Sequence, residues 1–122
     1  MKKNNHLSPK SQDGLPAKTM SPEKLEAVAR RFQVLSDPVR LSILYQLGEG
    51  EHTVNELVAL TGGSQSNVSK HLGTLLLHGL VRRRREGTSA HYSVTENSIF
   101  ELCDQVCGGI ERTLDQSLKD FE

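Results

Sequence analysis

Cys103 and Cys107 are the two cysteines of this 122-residue chain, and they stand four residues apart. In a helix that spacing puts both sulfurs on one face, a turn apart. Two thiolates so placed can chelate a soft ion. Trivalent arsenic or antimony prefers three sulfurs, so a third donor would come from a second copy of the chain, from water or from Asp104. Zinc or cadmium would want four ligands. Two copies could supply them as two cysteines each, if the helices cross near Gly108. The same thiols could instead answer oxidation or reactive sulfur. A disulfide within one straight helix is awkward at this spacing, so oxidation would act between chains or bend the helix at Gly108 and Gly109. Plain packing competes with all of these readings, because cysteine is a small apolar residue that is often buried.

A second stretch, Ser64 to Leu80, carries a different chemistry. Val68, Leu72, Leu75 and Leu76 recur at helical spacing and define an apolar face. The other face carries Gln65, Ser66, Ser69, Lys70 and Thr74. These are short donors and acceptors plus one cation. A helix facing only water does better with Glu, Lys and Ala, whereas one inserted in a DNA groove wants small hydrogen-bonding side chains near its start. Gly79 ends the helix, with Leu80 placed for the contact of a glycine cap. Arg82, Arg83, Arg84 and Arg85 follow directly. The pattern predicts the recognition helix of a winged helix-turn-helix and its basic wing.

The flanking elements position that helix. Ser21, Pro22 and Glu23 start a first helix, with Leu25, Val28, Ala29, Phe32 and Leu35 as its stripe. Ser36-Asp37-Pro38 breaks it and caps a second, in which Val39, Ile43, Leu44 and Leu47 face inward up to Gly48. Residues 49–52 read as a loop. Thr53 and Glu56 form a capping box for a short third helix, and Gly62-Gly63 make the tight turn before the reading helix. Glu86-Gly87-Thr88 is a hairpin signal, with Val81, Tyr92 and Val94 as apolar strand positions. Alternation sends Arg82 and Arg84 to one face and Arg83 and Arg85 to the other, so the hairpin must be exposed. Thr95 is placed to cap a last helix, about 96–118. Its seam of Ile99, Leu102, Cys103, Val106, Cys107, Ile110, Leu114 and Leu118 has little left in the domain to cover. A narrow terminal seam packs on a partner, which predicts a homodimer formed by this helix together with the first.

Length allows one domain: a disordered basic tail over 1–20, a winged helix-turn-helix over 21–118, and a short tail over 119–122. The fold class is mainly α with a small β-hairpin wing, dimeric through terminal helices. Net charge is zero, but the distribution is uneven. Residues 64–95 are basic and residues 96–122 acidic, and a local basic face is what phosphate contacts require. No apolar run is long enough for a membrane span. The polar start lacks the apolar core of a signal peptide, so a cytoplasmic protein is expected. There is no glycine-rich phosphate loop, no paired carboxylates in a loop and no supported Ser/His/Asp arrangement. These absences argue against an enzyme.

Five segments together resemble the ArsR/SmtB family: Ser36 to Leu44, Asn67 to Leu72, His78 to Arg83, Glu86-Gly87, and His91 to Val94. Members are small dimeric bacterial repressors that release DNA on binding metal ions or metalloids, or on thiol oxidation. The resemblance implies that Gln65, Ser66, Asn67, Ser69, Lys70 and His71 contact bases or phosphates of double-stranded operator DNA, and that Arg83, Arg84, Arg85, Gly87 and Thr88 line the wing. An arsenic-type site in the helix before the turn is absent, because Glu56 to Leu60 contain no thiol. The zinc-type positions in the last helix fall on Glu96, Ser98, Gly109 and Arg112, of which Glu96 alone could bind metal. Cys103 and Cys107 remain as the metal-ligating candidates. No permanent cofactor is implied. The inducer would be As(III), Sb(III), zinc or cadmium, and thiol oxidation or reactive sulfur is the alternative.

Overall fold

The structure, a computed structural model, describes residues 20–120. The tail expected over 1–20 lies outside the described residues except at Met20. Seven elements follow in order: α1 (Pro22–Leu35), α2 (Pro38–Gly48), α3 (Val54–Thr61), α4 (Gln65–Leu77), β1 (Val81–Glu86), β2 (Ser89–Val94) and α5 (Ser98–Asp120). The chain divides into two units after Gln33. The described part of the first is the body of α1. There the Ser21 hydroxyl accepts from the Lys24 amide at 3.1 Å, and Leu25, Val28 and Phe32 are exposed.

The second unit is a winged helix-turn-helix whose caps follow the sequence signals. Asp37 accepts from the Val39 and Arg40 amides at the start of α2. At α3 both halves of the capping box form, Glu56 amide to Thr53 hydroxyl and Thr53 amide to Glu56 carboxylate. Ser64 caps α4 through the Asn67 amide. At its other end Gly79 sits at φ +75°, while the Gly79 amide reaches Leu76 and the Leu80 amide reaches Leu75. That is the paired closure that a left-handed glycine permits.

The core joins α2, α3, α4 and the hairpin. Ile43, Leu44, Leu57, Val68, Leu72, Leu75 and Val81 are fully buried. In the two-stranded antiparallel hairpin Val81 pairs with Val94, Arg83 with Tyr92 and Arg85 with Ala90. One face thus holds the buried Val81 and Tyr92. His52 exchanges both backbone hydrogen bonds with Tyr92, at 3.1 and 2.8 Å. The segment read as a loop therefore adds a rung to the sheet and ties the wing to the start of α3.

Two boundaries differ from the sequence reading. Thr95 does not cap α5. Its hydroxyl donates to the Gly79 carbonyl at 2.9 Å, because the turn after α4 leaves carbonyls that this side chain can reach. Helix α5 begins at Ser98 and extends to Asp120, two residues beyond the expected end. It runs unbroken as helix through Gly108 and Gly109. Its first turn is seated on α2: a Cβ on Gly48 would lie 2.9 Å from Phe100, so a larger residue there would push the ring aside. Phe100 in turn lies 5.2 Å from the Tyr45 ring.

Candidate nucleic-acid interface and thiol pair

Helix α4 separates its two faces as its sequence requires. Val68, Leu72 and Leu75 are sealed inside, while Gln65, Ser66, Ser69 and Lys70 are exposed and Asn67 is half-buried. Gly73 continues the exposed stripe, and nothing lies within 4 Å of where its Cβ would be. A glycine carries no side-chain signal, so the sequence does not mark it as part of the surface. A shallow open groove of about 230 Å³ is lined by Thr53, Asn55, Gln65, Thr88 and Ser89 among others. It brings Gln65 at the start of α4 together with Thr88 at the wing tip.

His71 is a correction. The resemblance puts it among the groove-facing residues, but only 7% of it is accessible. It lies one position past Lys70, on the inward side of the helix. Arg40 Nη1 donates to His71 Nδ1 at 3.1 Å, and an arginine can only donate. His71 Nε2 lies 4.0 Å from Asp37. The same Arg40 donates through Nε to the Val34 carbonyl at 2.6 Å. Asp37 thus caps α2 and faces the imidazole that anchors α4. The Arg40 and Val39 amides, with His71 and the Arg40 charge, hold its carboxyl below the usual range.

The four wing arginines are not equivalent. Arg82 through Glu86 are all exposed, as alternation demanded. Arg84, however, forms a fork with Glu51, Nη2 to Oε1 at 2.8 Å and Nε to Oε2 at 3.2 Å. It also reaches Glu86 at 3.4 Å. Glu51 is held below the ordinary carboxylate range by that guanidinium. Among the described residues Arg83 and Arg85 have no acidic partner. Arg84 is therefore a strut between wing and the α2–α3 loop, with its charge already answered. Glu51, 33 residues away in sequence, carries no local signal of this role. Gly87 turns the hairpin at φ +62° beside the exposed Thr88.

The thiols lie on the α5 turn next to α2. Cys103 is half-buried, Cys107 is exposed, and both are free. Cys107 Sγ approaches Glu111 at 3.7 Å. Among the described residues no group of three or more His, Cys, Asp or Glu could hold a metal ion, so Asp104 does not complete a set with the two sulfurs. Between and beyond them the helix exposes Val106, Ile110, Leu114 and Leu118.

A model of the arsR family of bacterial regulatory proteins matches residues 37–83, from the α2 cap into the wing. A transcriptional repressor SmtB homolog from Synechocystis is 32% identical over 94 residues, 77% of this chain and 71% of the relative. The chain belongs to the ArsR/SmtB family. This family is one of DNA-binding regulators and not of enzymes. A "Probable mercury resistance operon repressor" from Streptomyces lividans is 40% identical over 77 residues, 63% of this chain. The match spans less than two thirds of that relative, 62% of its length. Among solved structures, the homodimeric winged helix-turn-helix DNA-binding domain of a possible ArsR-family regulator from Mycobacterium bovis superposes with a TM-score of 0.66 at 32% identity. That superposition covers 80% of this chain and 93% of the other. Among the described residues no helix of this ArsR/SmtB chain is long and apolar enough to cross a membrane.

Proposed function

We propose that this chain is a transcriptional repressor that binds duplex operator DNA as a homodimer and lets go when a soft ion binds Cys103 and Cys107. The ion would be As(III), Sb(III) or a thiophilic divalent cation such as zinc or cadmium. One observation carries the DNA half: the polar side of α4 stands free while its apolar side is locked into the core. Gln65, Ser66, Asn67, Ser69 and Lys70 then meet bases and phosphates, and Arg83, Arg85, Gly87 and Thr88 meet the flanking backbone. His71 acts from behind, holding α4 to α2. Arg84 sets the wing's position.

The uncovered face of α5 supports the dimer. Val106, Ile110, Leu114 and Leu118 are each more than half exposed, at the i, i+4 spacing of a helix–helix seam. At Gly108 a Cβ would meet only the Arg112 side chain, which leaves room for a second backbone. A two-fold dimer sets two reading helices about one DNA turn, roughly 34–36 Å, apart. An ion on α5 shifts the seam, and the two reading helices lose that spacing. The mercury-resistance name of the Streptomyces relative fits an inducer of soft character. Exposure of Cys107 also favours a second reading, in which the same two thiols are oxidised or take up reactive sulfur.

A gel shift on the protein's own upstream promoter tests this. A double Cys103→Ala, Cys107→Ala variant should bind like wild type and stay bound under arsenite, antimonite, cadmium and persulfide. Normal release of that variant overturns the sensor assignment. Release of wild type by persulfide alone selects the second reading.

A further inference from the structure

The wing rests on a set of charges in which carboxylates outnumber cations. Across the hairpin Arg84 stands opposite His91. Glu86 Oε1 faces both, 3.4 Å from Arg84 Nη1 and 3.7 Å from His91 Nε2. Arg84 is also forked on Glu51. At the root of the wing the His52 backbone pairs with Tyr92, and His52 Nδ1 lies 3.3 Å from Glu56 Oε1. That same oxygen accepts the Thr53 amide of the α3 capping box. Both imidazole side chains are 24% exposed, so protons from solvent reach them. From β1, the α2–α3 loop and α3, the charged groups facing the two rings are Arg84, Glu86, Glu51 and Glu56. Three carboxylates in these contacts meet one permanent cation. Neutral imidazoles leave two negative charges uncompensated, and two protonated imidazoles compensate both.

Resting on the DNA-binding reading above, we infer that His91 and His52 make operator binding proton-dependent: both rings take up protons as the wing meets DNA, and mild acid tightens the complex. Arg83 and Arg85 flank Arg84 along β1. The uncompensated negative charge therefore lies beside the cations that meet phosphate, and it opposes the approach of a polyanion. Histidine is the side chain that ordinarily changes charge between pH 5 and 8. A proton on His91 turns its contact with Glu86 into an ion pair. A proton on His52 does the same with Glu56, which braces the first turn of α3. Arg84 first, for Glu51, and the Thr53 amide first, for Glu56, hold these two carboxyls below their ordinary range, and the His91 charge adds to both effects. Each proton also adds positive charge beside the duplex, whose own field favours charged imidazoles. Binding that takes up protons must strengthen as pH falls, because the two equilibria are linked reciprocally.

Fluorescence anisotropy of the full-length protein on the upstream-promoter duplex, at fixed salt and without added metal, tests the inference. Wild-type affinity should rise about tenfold or more between about pH 8 and about pH 6. A double His52→Gln, His91→Gln variant keeps His71 and His78. It should match wild type at the alkaline end, where a neutral amide replaces a neutral ring, and lose most of the rise. Glu86→Gln removes one carboxylate from the exposed end of β1. It should bind more tightly than wild type at the alkaline end and gain less on acidification. Wild-type affinity that does not change with pH, a double variant that keeps the full rise, or an unaltered profile in Glu86→Gln overturns the inference and leaves the DNA reading standing. No binding to the duplex at any pH overturns both.

Discussion

Helices α4 and α5 are both amphipathic, and the chain treats them oppositely. On α4 the apolar residues Val68, Leu72 and Leu75 are buried to 1% exposure or less, and the polar face is left free. On α5 only Ile99 is buried outright, and four apolar side chains further along remain in the open. The same contrast holds for polar groups. Near α4, Asp37, Arg40 and His71 satisfy one another, and Arg84 is matched by Glu51. On the far part of α5, Cys107 Sγ approaches Glu111, a carboxylate of its own helix. One region is finished by its own chain, and the other keeps an uncovered apolar face. A self-sufficient core locks the apolar side of α4 in place, whereas in the proposed dimer a second copy would cover the exposed face of α5.

The largest effect should separate the two helices directly. Leu72→Ala removes a buried side chain and should cost about 2–5 kcal/mol in chemical denaturation. Leu114→Ala should change the stability of the dilute single chain by less than about 0.5 kcal/mol. It should weaken self-association by about 1.5–3 kcal/mol per copy, the scale of burying one leucine, as read by sedimentation. Equal losses of chain stability for the two variants, with association unchanged, would erase the contrast.

A middling effect should separate the wing arginines. Replacing Arg83 or Arg85 by Ala should lower the slope of log affinity for DNA against log salt by about 0.9 for each phosphate left without its cation. In a dimer the change acts twice, once in each wing. Arg84→Ala should leave that slope unchanged, because its charge is held by Glu51. A slope lowered as much by Arg84→Ala as by Arg83→Ala would return Arg84 to the DNA-contacting set.

The smallest effect concerns Asp37. Its folded pKa lies below the ordinary value near 3.8, so its contribution is complete above that value. It is lost as pH falls through the lowered folded value. Asp37→Asn keeps a capping side chain and should flatten the stability profile in that acid window. Asp37→Ala should cost about 1 kcal/mol at neutral pH through loss of the cap. An unchanged acid limb in Asp37→Asn would show that the carboxylate's partners do not favour its charged form.

Much of the fold was legible because its signals are local. The α3 capping box spans four residues, the glycine closure of α4 needs only its own last turn, and the Arg82–Arg85 alternation follows from the pleat. The exposed side of α4 was legible too, because amphipathic spacing needs no knowledge of neighbours. What failed were assignments that depend on distant chain. His71 looks like one more polar residue of the reading helix, yet Arg40, 31 residues earlier, offers it a donor inside. Thr95 looks like a cap until the Gly79 carbonyl proves to be within reach.

The sequence by itself determined the order of elements, the N-terminal caps of α1 to α4, the location of the basic strand and the face of α4 left exposed. Periodicity and capping act over one or two turns, and these features are written at that range. Only the tertiary structure decided that Glu51 neutralises Arg84, that His71 turns inward, and that Phe100 packs on Tyr45. Each of these pairs residues far apart in the chain. Their meeting depends on how α2, the wing and α5 pack, and packing is a property of the whole core.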